Sequence, residues 1–144
     1  GNGTYDTGTQ TALALSLSLG GGPDTQLVRR TLVESLSRAH MHYSTGILGF
    51  KVLFDVLGAA ARDDDAVAVL EQTSYPSIGF YFANDLESAS SNLWELPDAP
   101  LEGTGMNSRN HHMWSSYSAY LVRSVAGLAQ PAGSAGYRVL EMRP

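Results

Sequence analysis

The sequence contains no cysteine, which removes disulfide frameworks, thiolate metal sites and cysteine nucleophiles from consideration. It has no run of eighteen apolar residues, so no segment is a candidate helical membrane span. A basic excess is missing too: nine Lys and Arg stand against fourteen Asp and Glu, a formal net charge of −5. That balance argues against a nucleic-acid partner, which asks for a cationic face, and it is too mild for an acidic tail. No Gly-x-Ser-x-Gly elbow, phosphate loop or dinucleotide fingerprint occurs.

What is present is a globular composition, 43% hydrophobic over 144 residues, enough for one ordinary core. The chain opens on Gly1-Asn2-Gly3, without an initiator Met or a signal peptide. It closes on Tyr137-Arg138-Val139-Leu140-Glu141-Met142, which reads as a strand beginning. Together the two ends read as an excerpt.

Apolar periodicity outlines the elements. From Thr9 to Leu19 the leucines at 13, 15, 17 and 19 alternate as in a strand, yet Ala and Leu favour helix and Gly20-Gly21-Gly22-Pro23 is a helix stop. Both readings stay open on pattern alone. Pro23-Asp24 then starts a helix reaching Ala39, with Leu27, Val28, Leu32 and Leu36 at three-and-four spacing. Phe50, Leu53, Phe54 and Leu57 mark a third helix. Asp63-Asp64-Asp65 suits the start of a fourth, where carboxylates complement the helix dipole. Residues 73–110 read as one long, mostly irregular stretch, and such loops are usually functional. A last helix is expected from His111 to Leu128, burying Trp114, Tyr117, Leu121, Val125 and Leu128. Gly133 to Gly136 reads as a linker into the terminal strand. Paired antiparallel helices with no intervening strands fit an all-α toroid or bundle.

The long loop carries Tyr81, Asp85, Glu87, Trp94, Glu95, Asp98, Glu102, Asn107, Arg109, His111 and His112. A tryptophan beside a carboxylate is what a sugar site needs: the ring stacks on a pyranose face while the carboxylate moves a proton. Inverting glycosidases use one carboxylic acid on the leaving oxygen and one carboxylate on the attacking water. The Trp94-Glu95 pair fits equally a packed indole beside a solvated charge, the commoner arrangement. His111-His112 fits a helix start. His40-x-His42 without a third ligand is a weak zinc signal, and the Asp63–Asp65 run lacks calcium-loop spacing.

Six short segments in order resemble bacterial-type α-L-rhamnosidases of glycoside hydrolase family 78. They are Thr9-Gln10-Thr11-Ala12-Leu13-Ala14-Leu15, Ser44-Thr45-Gly46-Ile47-Leu48-Gly49, Gln72-Thr73-Ser74-Tyr75-Pro76-Ser77 with Gly79, Asn92-Leu93-Trp94-Glu95, Gly105-Met106-Asn107-Ser108-Arg109-Asn110-His111, and Tyr120 to Leu128. The resemblance implies an (α/α)6 six-hairpin barrel followed by a C-terminal β-sandwich. Residues 1–130 would be the C-terminal portion of the barrel, and 131–144 a linker and first sandwich strand. It also favours helix for the first segment.

The same resemblance implies hydrolysis of terminal α-L-rhamnosides with inversion. Glu95 matches the family's general base, His111 a histidine that holds the rhamnose, and Trp94 the aromatic beside the base. The family's general acid lies ahead of the matched portion, so Asp85, Glu87, Asp98 and Glu102 are not promoted to that role, and the isolated 144 residues are expected to be inactive or poorly folded. The implied partner is a carbohydrate; no cofactor, metal, nucleic acid or membrane is called for. The chain departs from the family at Ile78 (usually aromatic), Pro97 (often tryptophan), His112 (commonly tyrosine) and in a shorter Glu95–His111 spacing. These departures reshape the pocket wall and leave the base in place. The alternatives are a carbohydrate-binding helical toroid that does not cut, and an (α/α)6 glycosidase for another sugar.

Overall fold

The computed structural model describes residues 5–83, 93–96, 108 and 110–143. Among the described residues six α-helices follow one another: α1 (Gln10–Ser18), α2 (Thr25–Arg38), α3 (Ile47–Ala59), α4 (Asp63–Leu70), α5 (Ile78–Ala83) and α6 (Tyr117–Tyr120). Two short strands, β1 (Leu128–Ala129) and β2 (Glu141–Met142), close the order. No helix among the described residues is long and apolar enough to cross a membrane.

The segment left open by its alternating leucines is helical. Thr9 caps α1, its hydroxyl accepting from the Ala12 N–H at 3.2 Å, and this satisfies an N–H that the first helical turn leaves free. Leu13 and Ala14 are fully buried while Leu19 is 88% exposed. Tertiary burial of one face decides for helix where the local pattern did not. Asp24 caps α2 in the same way through the Leu27 N–H, and three aspartates occupy the first turn of α4, as the sequence predicts.

α3 is the centre of the packing. It lies against α1, α4 and α6, and α1 also packs on α2. The α1–α3 approach is close because Gly49 has no side chain: a Cβ there would stand 2.9 Å from the Thr11 Cα. From α3 the rings of Phe50 and Phe54 enter an aromatic column. Phe50 meets Tyr43 at 4.8 Å, Trp114 at 5.0 Å and Phe54 at 5.1 Å between centroids, and Phe54 meets Tyr120 at 5.8 Å. Most of these contacts are edge-on or tilted, the geometry that ring quadrupoles favour.

Within the mostly irregular stretch 73–110 the structure adds one helix, α5, which begins at Ile78 with the Ser77 hydroxyl accepting from the Phe80 N–H at 3.0 Å. One expectation is corrected: the last helix does not reach Leu128. It runs as a 3-10 turn (His112–Ser115), α6 and a π-helical turn (Leu121–Val125). Changing residues per turn breaks a 3.6-residue stripe. Trp114 and Tyr120 are therefore buried, but Leu121 and Val125 are exposed at 36% and 47%. Gly127, in the left-handed region at φ +65°, ends the helical path. Leu128 instead belongs to β1, which pairs antiparallel with β2, Leu128 opposite Met142 and Ala129 opposite Glu141. The strand consequently starts at Glu141 rather than Tyr137, and the turn before it is longer than the predicted linker.

Candidate active site

Polar contacts join the start of α1 to the connections before α3 and α5, and a second set ties α5 and the 3-10 turn before α6 to the 93–95 segment. Gln10, 1% exposed, reaches from α1 to the α2–α3 connection: its amide donates to the His42 carbonyl at 3.3 Å, and its carbonyl oxygen accepts from the Ser44 N–H at 2.7 Å. His42 carries the link onward to Ser74, 2.8 Å from Nε2, while Nδ1 sits 3.0 Å and 3.1 Å from the Ala39 and His40 carbonyls. Those carbonyls only accept, so Nδ1 carries the proton and Nε2 accepts from the serine. His42 is thus a structural link between two connections. Among the described residues no group of three His, Asp or Glu side chains could hold a metal.

Glu95 lies on a short segment held on three sides. Its N–H donates to the Ser108 carbonyl at 2.7 Å, and two residues earlier the Leu93 carbonyl accepts from the His111 N–H at 2.6 Å. These bonds run the 93–95 and 108–111 segments alongside each other. The Trp114 indole N–H donates to the Glu95 carbonyl at 3.2 Å, and the Tyr81 hydroxyl donates to the Trp94 carbonyl at 3.0 Å. The Ser108 N–H lies 3.3 Å from the Glu95 Oε2. The backbone of the pair is pinned while the Glu95 side chain stays exposed and the Trp94 ring half-buried. That is how a carboxylate can be held in place yet meet a ligand.

Of the predicted site residues, Trp94, Glu95 and His111 are brought together on these paired segments. His111 is half-buried, and its Nδ1 is enclosed without a hydrogen-bond partner. His112 is exposed at the start of the 3-10 turn. Asn92, Asp85, Glu87, Pro97, Asp98, Glu102, Asn107 and Arg109 lie outside the described residues.

Sequence reasoning missed the part played by Trp114. It was expected on a buried helix face and is 5% exposed, but it also supports Glu95. The signal was available in outline, since a buried indole N–H needs an acceptor; which acceptor is a matter of tertiary contact. Two phenols line the same core. Burial pushes Tyr43 well above the usual tyrosine range, with Tyr75 adding to the rise. Burial also raises Tyr120, helped by its 2.6 Å bond to the Asp63 carboxylate.

Comparison with known proteins bears on what this arrangement belongs to. The sequence model of the bacterial α-L-rhamnosidase six-hairpin glycosidase domain matches residues 1–125. An α-L-rhamnosidase of Streptomyces avermitilis is 33% identical over 143 residues, covering 94% of this chain and 13% of that protein. One from Formosa agariphila is 29% identical, covering 96% and 15%. Among solved structures, the S. avermitilis α-L-rhamnosidase complexed with L-rhamnose superposes with a TM-score of 0.80 at 32% identity, over 94% of this chain and 13% of that one. The Aspergillus terreus enzyme gives 0.83 at 28% identity, over 96% and 16%. The chain therefore spans between 13% and 16% of the length of these relatives. With the family's domain model covering most of the sequence and helical pairs packed as described, the chain belongs to the bacterial α-L-rhamnosidase six-hairpin glycosidase family.

Proposed function

We propose that this chain supplies the base-carrying part of an inverting α-L-rhamnosidase. The observation that carries the reading is the pairing of 93–95 with 108–111, which puts Glu95, Trp94 and His111 on adjacent, mutually bonded segments. Glu95 takes a proton from water, and the water oxygen forms a bond to the anomeric carbon. The bond from that carbon to the leaving oxygen breaks, and the leaving oxygen takes its proton from a carboxylic acid standing roughly 6.5–9.5 Å from the base, as inversion requires. Trp94 offers its ring to the apolar face of the sugar. With its Nδ1 enclosed, His111 has Nε2 left to meet a sugar hydroxyl. Residues 1–130 are read as the C-terminal portion of the barrel, and 131–144 as the linker and first strand of a following β-sandwich, with β2 pairing back across that boundary onto β1.

The test is Glu95→Gln in the polypeptide that carries these residues, with an aryl α-L-rhamnoside as substrate. Loss of a general base lowers kcat by about 10²–10⁴-fold, with the circular dichroism spectrum unchanged. Proton NMR of the unsubstituted protein's reaction should show β-L-rhamnose appearing first. Full activity in the glutamine variant removes Glu95 from the role, and α-L-rhamnose as the first product removes the inverting mechanism. Binding of rhamnose without turnover in the unsubstituted protein favours the non-cutting toroid.

A further inference from the structure

A groove of about 360 Å³ opens beside the candidate site, between the first turns of α3 and the 112–116 segment. One wall is the turn that carries Trp114 and so supports the Glu95 backbone. Its volume lies in the range of small-ligand sites. The apolar part is Leu48, 65% exposed, with Met113. The polar part is Lys51, His112 and Ser116, whose buried hydroxyl has no hydrogen-bond partner.

Lys51 is the only lysine in the sequence, and among the described residues no carboxylate answers its charge. One turn along α3, Asp55 is the carboxylate that could neutralise it. Asp55 is instead engaged by Arg123 at 2.8 Å. Arg62 is paired with Asp65, and Arg143 with Glu141. Lys51 makes no ion pair among the described residues. A groove that combines apolar side chains, hydroxyl and imidazole groups and an ammonium without an ion pair among the described residues, in a chain of net charge −5, is complementary to a sugar bearing a carboxylate. The ammonium answers the carboxylate, the polar side chains answer hydroxyls, and Leu48 and Met113 answer the apolar face of the ring.

We propose that this groove is a leaving-group subsite for a uronic acid residue, with Lys51 as its charge-reading side chain. The assignment to a leaving group rests on the glycosidase reading above, whereas the binding does not. Titration calorimetry with sodium glucuronate, glucose and benzoate separates the two. The unsubstituted protein should bind glucuronate more tightly than glucose by about 1.5- to fivefold, the range an exposed ion pair gives. The preference should shrink as salt is raised, vanish in Lys51→Met and persist in Lys51→Arg, with circular dichroism confirming that both variants fold. Equal binding of glucuronate and glucose, a preference that survives in Lys51→Met, or tighter binding of benzoate than of glucuronate would overturn the proposal. Failure to cleave a neutral aryl rhamnoside would overturn the glycosidase reading, while glucuronate binding is decided by the titration alone.

Discussion

The aromatic column around Phe50 and the segment around Glu95 hold their residues by different means. In the first, side chains fix side chains: Phe50 is fully buried among three rings, and the backbone nearby is ordinary helix. In the second, the main chain is fixed and the Glu95 side chain stays exposed: three bonds hold the Glu95 and Trp94 main chain, and the carboxylate accepts one more from the Ser108 N–H. Trp114 belongs to both regions, with its ring in the column and its N–H on the carboxylate's segment. A site tethered in this way stays accessible because its order is borrowed from the core behind it.

The sharpest way to break the comparison is Phe50→Ala. Removing a fully buried ring costs about 3–5 kcal/mol; urea denaturation should show that loss, and activity should fall with it because Trp114 loses its neighbour. Tyr120→Phe should cost less, about 1.5–3 kcal/mol, the worth of a hydrogen bond to a charged group, since its hydroxyl bonds the Asp63 carboxylate. A loss below that range would mean the bond to the first turn of α4 is dispensable.

Trp114→Phe tests the shared residue. The ring contacts are mostly kept, so the stability loss should be about 1 kcal/mol. On the role proposed for Glu95, catalysis should fall by about tenfold or more, because small misplacements of a catalytic group are costly. Unchanged kcat on an aryl rhamnoside would show that the indole bond does not position Glu95. The smallest effect is expected at Tyr43→Phe. The Tyr43 hydroxyl is buried without a partner, so deleting it should change stability by no more than about 0.5 kcal/mol near neutral pH and can even raise it. At high pH the two proteins should diverge. Burial raises the folded phenol's pKa, so its contribution is complete below the unfolded value of about 10 and is lost as pH rises above it. Tyr43→Phe should flatten that decline, seen as denaturation midpoints compared at about pH 9 and about pH 11.

Much of the fold was legible in the residues. The helix start at Asp24, the acidic first turn of α4 and the Phe50–Leu57 stripe each act through neighbours three or four positions away, and the structure places them as read. The ordered motifs around Ser44, Tyr75 and Trp94 carried the family resemblance, which the match to residues 1–125 bears out. The C-terminal helix was misread because its period changes at Leu121, which a fixed-period reading cannot register. α5 was missed because its six residues are too few for a stripe.

The sequence by itself determined where α2 and α4 start and which faces turn inward along α2 and α3, because those properties reside in local spacing; the ordered motifs pointed to the family. Only the tertiary structure decided that Gln10 and His42 tie separate connections together and that Trp114 supports the main chain of Glu95. It also decided that Asp55 turns to Arg123 and leaves Lys51 without an ion pair among the described residues. Each of these joins groups 19 to 68 positions apart, and a hydrogen bond at that separation exists only once packing has brought donor and acceptor within reach.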